Sequence, residues 1–283
     1  VKPTGDILNI SYCELDKMDC LVKKDVQTRG FWDDADLLVT HGSRLFGCSS
    51  PESDIDLRGF VVEPGEYILG RQDGDPFEQY EVNDETGDVV IYGVKKFFML
   101  LESGAPNCIE ILFAPEDKIV SASNLGRLVL DNRGLFVSKR LTSQIFGFAE
   151  SEWRKSQLLT KNKETGEIYK SSRVVGAKRK DSYKEFGYCT RNAYHAIRLL
   201  QEGVEIMTTG SIIFPRPNTD ELRDIRDGKT PFSELSKTFE ALTESFRDEE
   251  ERSSLPDEVD RTDVTGLFLE VISDSLEKLL QKG

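Results

Sequence analysis

Residues 41–58 read His-Gly-Ser-Arg-Leu-Phe-Gly-Cys-Ser-Ser-Pro-Glu-Ser-Asp-Ile-Asp-Leu-Arg, and no other stretch constrains the chain as much. It joins a Gly-Ser turn to two acids, Asp54 and Asp56, set one residue apart. From residue 53 onward, polar and apolar residues alternate and then give way to an apolar run, which predicts a strand entering a core. Side chains two apart on a strand share a face. Asp54 and Asp56 therefore project together, with Ile55 and Leu57 opposite. Two carboxylates on one face repel unless a cation lies between them. Mg²⁺ suits the place, because it takes oxygen ligands from few carboxylates plus phosphates and water; Mn²⁺ is the alternative ion. Two such ions about 3.5–4 Å apart stabilise the attacking and leaving oxygens of an in-line phosphoryl displacement.

Residues 35–41 read as a preceding strand that ends at Gly42 and Ser43. Glycine lets the backbone come close to a phosphate. The Ser43 hydroxyl, nearby backbone N–H groups and Arg44 can then hold the outer phosphates of a nucleoside triphosphate (NTP). Taken singly, Gly-Ser is a turn and Asp-Ile-Asp a solvated strand end. Together, at this spacing and between apolar strands, they point to phosphate and metal chemistry.

This pattern resembles the signature of the nucleotidyltransferase superfamily that includes DNA polymerase β. The likeness continues downstream. Residues 88–101, 105–113, 178–200, 215–222 and 225–229 are similar to the predicted nucleotidyltransferases of bacteria and their phages, so that it spans roughly residues 35–235. It implies an α+β fold, with a mixed sheet flanked by helices and a mostly helical domain after it. It also implies transfer of a nucleoside monophosphate from an NTP to an acceptor hydroxyl, with release of pyrophosphate. Such chemistry calls for a third carboxylate, as metal ligand or base. Asp88 is the first candidate, because it opens a strand that leads into a helix, as in the polymerase β-like proteins. Glu110 is the second; it sits among Ile109, Ile111, Leu112 and Phe113, where a buried acid needs a partner.

The chain is acidic, with a net charge of −14, which argues against passive binding of nucleic acid over its whole surface. Residues 170–198 reverse that sign locally. On a helix Arg191, His195 and Arg198 fall at i, i+4 and i+7, on one face suited to phosphates. The bland alternative is a solvated face with surface ion pairs. The relatives tend to carry Asp and Lys where this chain has Cys189 and Arg191, so a lysine-specific contact would not carry over. In this reading the helical domain closes a cleft over the site.

Strands are predicted at 35–41, 55–62 and 88–92. Helices are predicted at 94–102, 136–156 and 183–201 and along the apolar stripe of residues 268–280, with a leading helix and turn over 15–34. Residues 108–113 suit a buried strand or a helix start. The acidic run 248–260 reads as an exposed linker. A boundary near residue 140 would divide a catalytic domain, 1–140, from a helical domain, 141–283. No stretch approaches the length of a membrane span and the first residues carry no signal-peptide core. The five cysteines are scattered and form no Cys-x-x-Cys pair, which suits free thiols in a reducing cytoplasm. Two other function classes fit parts of the pattern. A nucleotide-binding regulator would keep the pocket without chemistry, and a metal-dependent glycosyltransferase would use Asp-x-Asp but not the Gly-Ser turn. The acceptor is open at this point among RNA or transfer RNA, a protein side chain and a small molecule.

Overall fold

The computed structural model describes residues 34–51, 53–83, 87–162, 165–170 and 177–282. The leading helix expected before the first strand lies outside the described residues, as do Cys13 and Cys20. The described chain divides into two compact units. The first takes in residues up to 102, 107–136 and 260 onward, and the second takes in 103–106 and 137–259.

The first unit is built on a five-stranded mixed sheet. Its strands are β1 (Leu37–His41), β2 (Ile55–Val61), β3 (Gln79–Asn83), β4 (Gly87–Gly93) and β5 (Ile119–Ala122), in spatial order β3-β4-β2-β1-β5. β1 runs antiparallel to β2 and β5, and β3 antiparallel to β4, while β2 and β4 are parallel. The helices of this part are α1 (Gly42–Leu45), α2 (Gly65–Ile68), α3 (Val94–Glu102), α4 (Pro106–Leu112) and α5 (Asn124–Asp131).

Alternation along the strands gives the sheet two different faces. Ile55, Leu57 and Val61 join Leu38, Val89 and Ile91 in one buried cluster. On the other face Phe60 stacks on Phe97 of α3, with ring centroids 4.8 Å apart, and Tyr92 lies against the same ring. α3 follows β4 without a linker. Its first N–H, from Val94, donates to the buried Glu63 carboxylate at 2.7 Å, which satisfies a donor that the helix itself leaves without a partner. Gly93 is needed beside it, because a β-carbon there would collide with the same carboxylate. At the far end of β1, Asp36 accepts from Val62 N–H and from the hydroxyl of Ser123, which in turn caps α5 through Leu125 and Gly126.

Residues 108–113 resolve as helix, not strand. Pro106 starts α4 where its missing N–H costs nothing, and Cys108, Ile109, Ile111 and Leu112 are all buried. A helix covered on most sides carries no amphipathic period, so its apolar run resembles a core strand.

The second unit is helical. It comprises α6 (Lys139–Ser156), a small hairpin of β6 (Leu159–Lys161) and β7 (Ile168–Lys170), α7 (Ala177–Phe186), α8 (Thr190–Thr209), α9 (Thr219–Arg226) and α10 (Phe232–Arg252). α8 is the hub, packed by α6, α9 and α10. Trp153 of α6 stacks between Phe232 and Phe239 of α10, at 5.3 and 4.3 Å. The single helix expected over 183–201 is two helices. Gly187, at φ 79°, turns the chain between α7 and α8 in the left-handed region that glycine tolerates. α10 runs to Arg252, so the first part of the acidic run is helical and the linker is confined to 253–260.

The last helix, α11 (Arg261–Lys282), returns to the first unit. Phe268 meets Phe98 edge to face at 5.2 Å, and Val271 and Ile272 are buried. The expected division at 140 thus falls at 136, and residues 260–283 belong with the sheet rather than with the helical domain. The apolar stripe was visible in the sequence; the surface it covers was not. Among the described residues no helix is long and apolar enough to cross a membrane.

Phe97 is fully buried between the sheet and its helix layer. Phe97→Ala should destabilise the first unit by about 3–5 kcal/mol, measured by urea denaturation of the full chain. A cost below about 1 kcal/mol would contradict this packing.

Candidate active site

The site forms where β1 ends and β2 and β4 begin. Strand pairing brings its residues together. His41, the last residue of β1, lies opposite Asp56, and Asp56 lies beside Asp88 across the parallel β2–β4 pair. Neighbouring strands lie ~4.8 Å apart, so the Asp56 and Asp88 side chains leave the same face as near neighbours. Asp54 sits just ahead of β2 and is exposed. Asp56 and the more favoured third candidate therefore share one end of one sheet face, with Asp54 just ahead of the strand.

Gly42 explains its own place in the motif. Its φ is 61°, and a β-carbon there would fall on the Asp56 carboxylate. Only glycine meets both demands, the left-handed backbone and the close approach. Ser43 follows at the start of α1 and is partly accessible. Arg44 fastens the loop that carries the acids: its guanidinium donates to Ser53 O at 3.0 Å and to Asp54 O at 3.4 Å. Ser50 and Ser53 close the loop's turn through paired hydrogen bonds. Cys48 is buried in this loop as a thiol outside any disulfide, in keeping with a small spacer.

Burial pushes the Asp56 carboxyl above its ordinary range. Arg58 and His41 pull it back down, while Asp88 and Asp54 push it further up. Like charges side by side on adjoining strands are destabilising, and here Asp54 adds to the push from Asp88. Arg58 offsets part of it. Two residues along from Asp56 on the same face, it donates Nη2 to Asp88 Oδ2 at 2.5 Å. His41 and Arg58 were not singled out in the sequence. One precedes the Gly-Ser turn and the other follows the acid pair; the i+2 spacing from Asp56 was the available signal for Arg58.

Glu110, the alternative third acid, is placed differently. It is 1% exposed on α4 and pairs with His41 Nε2 at 3.0 Å. The structure brings Asp88, not Glu110, beside Asp56; Glu110 is instead the partner of a buried imidazole. Nearby, burial lifts the Tyr92 phenol and the Cys108 thiol each to about 12, so neither ionises at neutral pH.

In the second unit Arg191 is exposed at the first turn of α8 and His195 is half-buried, its ring against Tyr194. Arg198 is different. It is buried and donates to Glu202 at 2.7 Å. The reason is the position of α8 as hub: partners cover it on most sides, so a cation in its middle turns needs an internal acid. The two arginines and the histidine expected on one phosphate-binding face are thus two accessible groups and one internally paired arginine.

The donors fit Mg²⁺ in kind: carboxylate oxygens, one acid held above its usual range by burial, and an Asp88 Oδ1 that is buried without a hydrogen-bond partner. Among the described residues no group of three or more His, Cys, Asp or Glu converges as a ready metal cage. Mg²⁺ does not need one, since it keeps several waters and takes substrate phosphates beside one or two carboxylates.

A mixed sheet whose parallel neighbours open on registered carboxylates, approached through a Gly-Ser turn, marks the polymerase β-like class of nucleotidyltransferases. Within that class the chain belongs to the RNA repair pathway DNA polymerase beta family, whose profile matches residues 37–270. The match begins at the first residue of β1 and runs through both units. A protein of Enterobacteria phage T4, named an uncharacterized 38.9 kDa protein in the nrdC-mobD intergenic region, is similar to this chain: 28% identical over 112 residues, covering 37% of this chain and 33% of that protein. The matched part is thus about a third of the phage protein's length.

A buried, repelled Asp56 destabilises the metal-free fold. Its proton is held more tightly folded than unfolded, so stability falls as pH rises through its folded pKa and is regained on acidification. Asp56→Asn should therefore melt higher than wild type in EDTA at pH 7, by about 0.5–2 kcal/mol. The difference should shrink toward pH 5, as followed by calorimetry. A variant less stable than wild type throughout would contradict this electrostatic picture.

Proposed function

We propose that this chain transfers a nucleoside monophosphate from an NTP to a terminal hydroxyl of an RNA, releasing pyrophosphate. The observation that carries the reading is the register of Asp56 beside Asp88, with Asp54 and the Gly42–Ser43 turn at the same end of the sheet. A pure nucleotide binder has no need of a part-buried Asp56 set beside Asp88, an arrangement that costs stability without a cation. The choice of RNA as acceptor is supported by the family's description, which places it in an RNA repair pathway.

In this proposal the backbone at Gly42 and the Ser43 hydroxyl hold the outer phosphates. Arg44 keeps the 46–54 loop in place, with Asp54 presented toward the nucleotide. Asp54, Asp56 and Asp88 would hold two Mg²⁺ ions, which when bound neutralise phosphate charge and lower the pKa of the attacking hydroxyl. The acceptor oxygen attacks the α-phosphorus, an O–P bond forms, and the bond to the pyrophosphate oxygen breaks. The hydroxyl proton leaves to solvent. Arg191 and His195 are proposed to contact nucleic-acid phosphates on the second unit.

The test is incubation of the full chain with α-labelled NTPs, Mg²⁺ and RNAs bearing free terminal hydroxyls, with pyrophosphate release followed in parallel. Label should appear on RNA, and the double variant Asp54→Ala, Asp56→Ala should lose at least about 100-fold in rate. Label on protein or a small molecule instead would replace the acceptor. A double variant as active as wild type would overturn the reaction class.

A further inference from the structure

The carboxylates do not account for the position of Arg58. Its side chain is 14% exposed and that of Asp88 25%. The guanidinium makes three bonds. Nη2 donates to Asp88 Oδ2 at 2.5 Å, and Nη1 donates to Asp88 O at 3.1 Å and Leu57 O at 2.9 Å. Two of these acceptors are main-chain carbonyls of adjoining strands, held in place by the sheet pairing. Arg58 is thus fixed to the sheet and fixes the Asp88 side chain in turn. A surface ion pair, free to open, would show neither backbone anchor.

We propose that Arg58 is a positioning residue that makes Asp88 a one-oxygen ligand for the divalent cation, with Oδ2 reserved for the arginine and Oδ1 aimed at the metal. Oδ1 is buried and has no hydrogen-bond partner, which is costly for a carboxylate oxygen unless a ligand completes it. The planar fork of arginine is what allows side chain and main chain to be held at once; a lysine ammonium cannot reproduce all three bonds in that plane. Partners of this kind orient ligating carboxylates, and their loss typically costs 10–100-fold in metal affinity or activity. The inference rests on the nucleotidyltransferase reading above.

The experiment compares wild type with Arg58→Met, Arg58→Lys and Asp88→Asn as full-length chains. Mn²⁺ binding is measured by electron paramagnetic resonance in the presence of a non-hydrolysable NTP, with kinetics and EDTA melting curves alongside. Arg58→Met should weaken Mn²⁺ binding and lower kcat, each about 10–100-fold, while KM for the NTP stays within about twofold. Arg58→Lys should fall between Met and wild type, and it carries the test if the methionine variant does not fold. Asp88→Asn should lose Mn²⁺ binding at least as severely. Arg58 variants that match wild type in Mn²⁺ binding and kcat, while Asp88→Asn loses both, would overturn the positioning role alone. A wild-type chain with neither Mn²⁺ binding nor turnover would overturn the nucleotidyltransferase reading and this inference with it.

Discussion

Register between two parallel strands holds Asp56 and Asp88 side by side, and burial there, more than their mutual repulsion, makes charge on Asp56 costly. The acids cannot separate, because each is set by backbone pairing that also aligns Leu57 with Val89 and Gly59 with Ile91. Slipping β2 by one residue would turn Asp56 into the core and Leu57 out of it. The hydrophobic face therefore enforces the charged one. Relief comes only from groups that can approach the fixed pair: Arg58 from the same strand, His41 from the neighbouring strand, and the substrate's metal ions in the proposed reaction.

The supports of the site can be ordered by what would fail without them. Gly42 makes room for the Asp56 carboxylate. Arg44 ties down the loop that delivers Asp54. Glu110 pairs with His41, whose imidazole is buried against the sheet. None of these groups needs to meet a substrate to matter. They support an acid pair that is unfavourable by itself, Gly42 by leaving space, Arg44 by hydrogen bonds to backbone and Glu110 by pairing with a side chain. This fits the general expectation that ligating groups are only as good as the groups behind them.

Much of this was legible in the sequence, and what was not has physical causes. The strands at 35–41, 55–62 and 88–92 and the helix at 94–102 announced themselves by period, and the structure has them within about two residues. β3 and β5 went unread. β3 lies on an edge and none of its residues is buried, so no apolar alternation marks it; β5 is four residues long and only partly buried. α4 was ambiguous because it is covered nearly all round. The return of α11 to the first unit could not be read at all, since a stripe of apolar residues states that something is covered without naming it. At the site, Gly42, Ser43, Asp54 and Asp56 came from spacing. Asp88 ranked ahead of Glu110 in the sequence by its place at the start of a strand; its register beside Asp56 depends on the pairing of β2 with β4, a long-range contact that no local pattern encodes.

Arg198 shows the same limit from the other direction. Helical spacing put it on one face with Arg191 and His195, and the spacing was sound. Whether a face meets water or protein is decided by the elements packed against it, and α8 is surrounded. A positive residue in the middle of a surrounded helix is stable only with an acid within reach, and Glu202, four residues on, supplies it. An i, i+4 Arg–Glu pair is ordinarily read as a weak surface bond worth a few tenths of a kcal/mol. Buried, the same pair is held in place because removing either partner would strand a charge, at about 3–5 kcal/mol. Charge counting along a sequence treats these two situations alike, and burial is what separates a phosphate-binding arginine from one that holds its own helix in place.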